Sequence, residues 1–330
     1  MRRSCCLFVL CLTAAAYAPA QQFDFPEAAV SDPSALSNAM PALAKQVLAT
    51  YKDEERGVYL DNLFRLQIVA GQYKDALGSL GLLRELLRAN HPARAAWVNF
   101  QYEIYARAKA KQNADNQPWE EAYKQSFRDL VGPMDDRASA LLIRALRGAN
   151  QFLMKRDLED DLVRQKDKNA VSLVDALKLI RDYQVEEAYR SFTPLIGTLI
   201  AEDDARRYLI EKDIQVKTPD DATICTLVVR SRAASGRLPS LLLFTIYADD
   251  NDNLTEARRT ASNGYAGVIG LTRGKGCSRG RPVPYEHDGS DAAALIGLVP
   301  NRGVTEGLAC TAGATRDSRH GLQSSMDRKA

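Results

Sequence analysis

Hydrophobic residues in the first two thirds of the chain recur at helical spacing. Leu60 and Phe64 fall on one face of a helix, and Gly71 interrupts the pattern. A second apolar stripe then runs through 73–87. We therefore predict a helical domain over 36–210.

Two stretches of this region suggest paired helices. "AGQYKDAL" at 70–77 resembles the middle of a tetratricopeptide helix pair, and "DYQVEEAY" at 182–189 is a loose echo of it. No strict 34-residue period connects the two. The prediction is therefore limited to TPR-like helical hairpins. "PWEEAYKQSFRDLVG" at 118–132 predicts a further helix, with proline at its start and glycine at its end.

Two conspicuous clusters of the helical region have structural interpretations. The aromatic run "WVNFQYEIY" at 97–105 could stack on a ligand, but the aromatic core of a helix pair is the stronger interpretation. The charged run "KRDLEDDLVRQKDK" at 155–168 is typical of an exposed helix face. We find no catalytic constellation in this half of the sequence.

The pattern changes near position 213. Two alternating runs around "TPDD" within 213–232 predict a β-hairpin. "RLPSLLLFTIYA" at 237–248 and "AGVIGLTRG" at 266–274 predict buried strands, with a helix over 253–265 between them. A strand, a helix and a second strand form a βαβ unit, so this part of the chain predicts an α/β domain with a parallel sheet.

The N-terminus has the pattern of a secretory signal peptide over 1–20. Two arginines precede a short apolar run, and small residues at 16–20 fit a cleavage site. A membrane anchor would need about 20 apolar residues, and this run is shorter. We therefore expect export to the periplasm or beyond the cell, no transmembrane anchor, and a linker over 21–35.

Composition excludes some partners. The 330 residues carry a formal net charge of +2 with interspersed signs, so we expect no nucleic-acid binding. Cleavage would leave Cys225, Cys277 and Cys310, an odd count that predicts a free thiol or an intermolecular partner. The three histidines are scattered and no cysteine pair has metal-ligand spacing. The sequence thus predicts no metal and no cofactor.

An ordered set of motifs over 213–296 resembles a known family. The segments "TPDDATI", "LPSLLLFTIYAD", "GYAGVIGLTRGKGCSRG" and "PYEHDGSDAAALI" are similar to the start of the Xaa-Pro dipeptidyl-peptidase-like, cocaine-esterase-like α/β-hydrolases. The resemblance implies hydrolysis of peptide or ester substrates by a Ser-Asp-His triad, in that chain order, with the serine on a nucleophile elbow. It also implies that Tyr247, after the third strand of the fold, could be an oxyanion donor.

The basic loop has a structural interpretation within this resemblance. "RGKGCSRG" lacks the glycine and lysine spacing of a phosphate-binding loop. We expect Arg273, Asp288 and Asp291 to hold loops together. His287 lies before any nucleophile, which is out of order for this fold, so we do not expect it to be the triad histidine.

The final segment departs from the family pattern. Residues 297–330 show no strand periodicity and no elbow, and we predict an irregular tail, out of frame with the family. When 303–321 is back-translated with permitted codons and read one nucleotide out of register, "SDGRVGMYGGSYSGFTPW" becomes available, which contains a complete elbow. The missing serine codon would straddle Gly313 and Ala314.

These observations predict a helical region followed by a partial, truncated α/β-hydrolase domain over 211–296. Without the elbow strand, "LLLFTIY" would be an unpaired sheet edge that favours self-association. The expected function is an exported serine hydrolase or peptidase by ancestry, inactive as written because the triad is absent. The alternative is a secreted helical-repeat interaction module that carries a hydrolase remnant.

Overall fold

A computed structural model describes residues 21–282, 285–298 and 305–312 of the chain. The signal peptide predicted over 1–20 lies outside the described residues. The strands are β1 (Gln22–Asp24), β2 (Ala170–Ser172), β3 (Tyr208–Lys217), β4 (Thr223–Ser231), β5 (Leu238–Thr245), β6 (Ala266–Leu271) and β7 (Thr305–Ala312). The helices are α1 (Pro33–Leu48), α2 (Arg56–Val69), α3 (Tyr73–Asn90), α4 (Pro92–Ala95), α5 (Phe100–Asp115), α6 (Trp119–Val131), α7 (Asp136–Arg147), α8 (Gln151–Val163), α9 (Leu173–Arg207), α10 (Asp250–Ala261) and α11 (Asp288–Leu298), with a 3₁₀ turn at Glu27–Val30.

The predicted helical region forms one side of the molecule. Helices α2 and α3 pack as a hairpin around the Gly71 turn, where φ is +79°, a conformation that suits glycine. Helix α9 is 35 residues long and packs along α1, α2, α6 and α8. The stretch 182–189 lies inside α9, so the echo of a second hairpin there was wrong. Its apolar spacing is that of one continuous helix, and the structure does not establish TPR-like repeats.

The segment 21–35, which we expected to be a linker, is part of the packed fold. Strand β1 pairs antiparallel with β2, and the Phe25 amide donates to the carbonyl of Asn169. Phe23 and Phe25 are buried against α1 and α9 in one apolar cluster. Burial of two aromatic side chains stabilises this arrangement, which is why the segment does not behave as a spacer.

Other expectations for the helical region are confirmed. Helix α6 begins directly after Pro118 and ends directly before Gly132, and its Tyr123 is completely buried. The aromatic run contributes buried Tyr102 and Tyr105 to the core, as its structural interpretation required. The charged run is mostly exposed, but Asp161 is buried and accepts a hydrogen bond from Lys178 at 2.6 Å.

The sheet of the second region has the order β3-β4-β6-β5-β7. Strands β3 and β4 form the predicted antiparallel hairpin, and β4 is antiparallel to β6. Strands β5 and β6 run parallel, connected through α10, which confirms the βαβ unit. All six residues of β6 are buried, because α10 and α11 cover opposite faces of the sheet.

The predicted unpaired edge at β5 was wrong. Strand β7, within the segment that we expected to be irregular, pairs parallel with β5 over Leu238–Phe244. The sequence "TEGLACTA" shows no alternation, and its place as the last strand of the sheet is set by its pairing with β5. Since β5 is paired on both sides, the basis for predicting self-association through that strand is removed.

The two regions are joined by a polar interface where α9 continues directly into β3. On the helical side of this interface, Arg207 donates to the Asp203 and Asp136 carboxylates and to the carbonyls of Met134 and Val131, at 2.7–2.9 Å. Arg258 of α10 donates two hydrogen bonds to Asp204, at 2.7 and 2.6 Å. Within the described ranges, no helix is both long enough and apolar enough to cross a membrane.

Candidate functional site

The carboxyl ends of β5 and β6 lie side by side, as the βαβ unit requires. The amide of Thr272 donates to the carbonyl of Thr245 at 3.0 Å and joins the two strand ends. Tyr247 follows at this edge and is 54% exposed. Its amide donates to the Thr245 hydroxyl, and its carbonyl accepts from Asn253. The backbone of Tyr247 is therefore held in place while its ring faces solvent.

Arg273, in the loop after β6, joins the β3–β4 turn and α11 at the same edge. Its guanidinium donates two hydrogen bonds to Asp291 of α11 and two to Asp220 in the β3–β4 turn, all at 2.6–2.9 Å. Asp291 is fully buried. The structural role expected for Arg273 and Asp291 is thus confirmed. Asp288 is half-buried, and burial, followed by the charge of Asp291, raises the pKa of its carboxyl.

We expect Arg273→Gln to raise the pKa of Asp220. Hydrogen bonds from Arg273 and then from Thr218 hold that pKa well below its ordinary value. Because the pKa of Asp220 is lower in the folded state than in the unfolded state, its ionised carboxylate stabilises the fold at pH values above the unfolded-state pKa. This contribution is lost as the pH falls through the folded-state pKa. Carboxyl NMR titration measures the change, and Arg279→Gln in the same exposed loop is the control. An unchanged Asp220 pKa in the Arg273 variant would contradict the assignment.

The loop after β6 is attached to β4. The Ser278 hydroxyl accepts from the amide of Cys225 at 2.7 Å and donates to the carbonyl of Leu271 at 2.8 Å. Cys225 and Cys277 form a disulfide between the strand and the loop. This pairing, which spacing did not predict, accounts for two of the three cysteines after the predicted cleavage site. The third, Cys310, lies in β7.

Among the described residues, no serine hydroxyl is hydrogen-bonded to a histidine imidazole. Ser240 is buried in β5, and Ser262 donates to the carbonyl of Arg259. Ser278 is the loop anchor described above, and Ser290 donates to the backbone carbonyl of His287. His287 itself precedes α11, and its carbonyl also accepts from the amide of Asp291. These contacts give each of Ser262, Ser278 and Ser290 a structural partner.

The aromatic cluster of the helical region is packed rather than open. The Lys109 ammonium lies over the rings of Trp119 and Tyr105, at 4.8 and 5.6 Å from their centroids. Burial lowers the pKa of this lysine. Trp119 and Tyr105 also contact each other edge to face, with ring centroids 5.6 Å apart. The lysine and this ring contact therefore occupy the two rings within the fold.

One group of potential metal ligands was missed by sequence reasoning. The carboxylate of Asp213 and the sulfurs of Cys225 and Cys277 all lie within 4.8 Å of one another. We expected no metal site because no short ligand spacing is present. These residues come from a strand, its neighbour and a distant loop, so only the folded chain brings them together.

Comparisons with known proteins establish no family for the chain. No family model matches it, and no curated protein matches it. Among solved structures, a CocE/NonD family hydrolase from Staphylococcus aureus is 18% identical with a TM-score of 0.27, covering 33% of this chain and 23% of its own. An acetyl xylan esterase from Paenibacillus sp. R4 is 20% identical with a TM-score of 0.27, covering 33% of this chain and 42% of its own.

An oligopeptidase B from Leishmania major is 19% identical with a TM-score of 0.27, covering 33% of this chain and 17% of its own. The chain therefore spans less than half the length of each of these three proteins. Similarity at this level assigns neither an activity nor a substrate to the chain.

Proposed function

We propose that this chain is, by ancestry, a serine hydrolase of the α/β-hydrolase class, acting on esters or amides, and is inactive as written. The observation that carries the proposal is the position of β7. It pairs with β5, which is the place of the elbow strand in the fold that the sequence motifs resemble. The sheet order and the antiparallel β4 also support the proposal.

The out-of-register reading fits the same position. The strand ends at Ala312, and the serine codon of that reading would straddle Gly313 and Ala314. A nucleophile elbow places its serine in the turn immediately after such a strand. The serine would thus follow the strand directly, at the same sheet edge as Tyr247.

Tyr247 is the residue that we propose as an oxyanion donor in the intact enzyme. The register pairs Phe244 with Ala312, so β5 and β7 leave the sheet at the same level. The Tyr247 hydroxyl has no hydrogen-bond partner within the described ranges. A phenol oriented toward an acyl oxygen stabilises the negative charge that develops when serine attacks.

Attack requires a serine activated by a histidine, which an acidic residue orients. The serine contacts described above provide no such pair. We therefore propose that the chain performs no triad-dependent acyl transfer. The acid and the base of the proposed enzyme would be encoded beyond the elbow in the corrected register.

The test compares the exact 330-residue chain with a frame-corrected version. Verified DNA across codons 290–330 and beyond should contain an open reading frame that encodes the elbow and continues past it. A fluorophosphonate should label the corrected protein at the elbow serine and leave the exact chain unlabelled. Replacing that serine with alanine is the matched control, and Tyr247→Phe in the corrected protein should lower kcat by about 10²–10³-fold.

Two results would overturn the proposal. One is a verified gene in which no reading frame encodes the elbow and continues past it. The other is stoichiometric labelling of the exact chain at any serine, accompanied by turnover of an ester or Xaa-Pro substrate.

We also propose that the protein is exported. The support is the charged, apolar and small-residue pattern over 1–20. The mature N-terminus should lie near Pro19 or Gln21. N-terminal sequencing of secreted or periplasmic material that still begins at Met1 would contradict export by this route.

A further inference from the structure

Asp213 is aimed at the Cys225–Cys277 disulfide by an irregularity in β3. The register between β3 and β4 shifts between Glu211 and Ile214, which marks a β-bulge. Asp213 lies in this bulge with φ of +55°, in the left-handed region that non-glycine residues seldom adopt. Its Oδ1 atom is 3.8 Å from the Cys225 sulfur. Bulges re-aim side chains, and strained backbone is concentrated at functional sites.

The loop that carries Cys277 does not depend on the disulfide for its position. Ser278 connects it to the Cys225 amide and the Leu271 carbonyl, and the amide of Arg279 donates to the carbonyl of Thr223 at 3.2 Å. Arg273 holds the start of the loop as described above. Reduction would therefore release two thiols that remain beside the Asp213 carboxylate.

Solvent reaches this group of residues. Asp213 is exposed, Cys277 is half-buried and Cys225 is buried. They adjoin a small open cleft of about 60 Å³ that Asp213 and Cys225 line together with Lys212, Asp250 and Asn253. Two carboxylates and one ammonium give the cleft a net negative lining, which favours a cation.

We propose that Asp213, Cys225 and Cys277 form a redox-controlled site for Zn²⁺, which holds the metal only when the disulfide is reduced. Two thiolates and a carboxylate are ligands that zinc accepts, and three protein ligands leave a fourth position for water. The disulfide and the metal complex use the same sulfurs and exclude each other.

The exchange balances with ordinary thiol chemistry. Two small-molecule thiols reduce the disulfide, the S–S bond breaks, two cysteine thiols form, and the reductant leaves as its own disulfide. Zn²⁺ then displaces one proton from each thiol and forms two Zn–S bonds, while ionised Asp213 supplies an oxygen. Oxidised glutathione reverses the process. The two cysteine thiolates give up two electrons and re-form their S–S bond, the glutathione S–S bond breaks, Zn²⁺ leaves, and the two glutathione thiolates take up protons from water.

Co²⁺ serves as the probe, since thiolate ligands give it a charge-transfer absorption in the near ultraviolet. The protein is the full chain with its other four cysteines replaced by serine, reduced with a phosphine that does not chelate the metal. We expect one Co²⁺ per chain, displaced by Zn²⁺, and no such absorption in the oxidised protein. Added oxidised glutathione should abolish the signal. The replaced residues are Cys5, Cys6, Cys11 and Cys310.

Variants identify the ligands. Asp213→Asn should weaken Co²⁺ binding by more than about 100-fold, which exceeds the loss of about 10–100-fold that removal of an outer partner of a metal ligand costs. Asp250→Asn, in the same cleft, is the matched control and should bind nearly as tightly as the parent. Cys225→Ser should remove the charge-transfer absorption.

Each contrary result overturns the proposal. Reduced protein that binds no more Co²⁺ than the Cys225→Ser variant has no site. Equal binding by the Asp213 and Asp250 variants removes Asp213 from the ligand set. A reduced chain that loses its near-ultraviolet circular dichroism lacks the preformed arrangement on which the site depends.

Discussion

Asp204→Asn is expected to lower the free energy of unfolding by about 3–5 kcal/mol. The substitution leaves the Arg258 guanidinium buried with no compensating charge, and removing one partner of a buried pair costs about that much. Arg258 is 1% exposed and Asp204 is 4% exposed, so water cannot replace the lost partner. The pair joins α9 of the helical region to α10 of the α/β region, so we expect the α/β region to lose most of this stability.

The chain offers a matched control two residues away. Glu202 forms a two-pronged ion pair with Arg128, at 2.8 Å for both contacts, but both side chains are about half exposed. Exposed pairs contribute about 0–1 kcal/mol, so Glu202→Gln should have a small effect. Urea unfolding followed by far-ultraviolet circular dichroism measures both variants.

A double variant separates charge from packing. Asp204→Leu combined with Arg258→Met removes both charges, and apolar replacement of a buried pair is often close to neutral. We therefore expect it to recover most of the stability that Asp204→Asn loses. Equal destabilisation by Asp204→Asn and Glu202→Gln would show that the burial of the Asp204–Arg258 pair has no energetic consequence.

Local patterns predicted the elements that depend on local chemistry. The run "LLLF" with flanking turn residues identifies β5, because a strand covered on both faces is apolar throughout. Proline before α6 and glycine after it mark helix ends by their backbone limits. The hairpin turn around Asp220 was equally evident from its polar residues between two alternating runs.

Long-range partners could not be predicted in the same way. Strand β1 is three residues long and pairs with β2, which lies far along the chain, so nothing in 21–35 alone identifies it as a strand. Strand β7 is small-residue-rich and lacks alternation, and its pairing with β5 defines it. A short strand depends for its existence on the neighbour that supplies its hydrogen bonds.

The candidate sites show the same division. Tyr247 was predicted because it follows a recognisable strand in a segment that resembles a family motif, and its role stays a prediction. The Asp213 site was missed because a bulge directs the carboxylate and a loop supplies the second sulfur. A bulge is difficult to recognise in an alternating sequence pattern, because one added residue resembles ordinary sequence variation.

Phe192→Ala should destabilise the helical region by about 3–5 kcal/mol, whereas Phe152→Ala should change its stability by about 0.5 kcal/mol or less. Phe192 is fully buried in α9, with its ring 5.3 Å from that of Tyr123 and 4.8 Å from that of Tyr189. Phe152 of α8 is 73% exposed. Both are helical, so the gain in helix propensity from alanine is the same and cancels in the comparison.

Fluorescence reports this transition directly, because Trp97 and Trp119 both pack against the core that contains Phe192. Urea titration should move the midpoint strongly for Phe192→Ala and scarcely for Phe152→Ala, with similar slopes. A large loss for Phe152→Ala in the isolated chain would contradict its exposed position. If the parent and the Phe152 variant are equally stable, the Phe152 ring is apolar surface on α8 that contributes nothing to the fold.

The alternative function, an interaction module, requires exposed apolar residues of this kind, because a residue that contacts a partner need not stabilise its own chain.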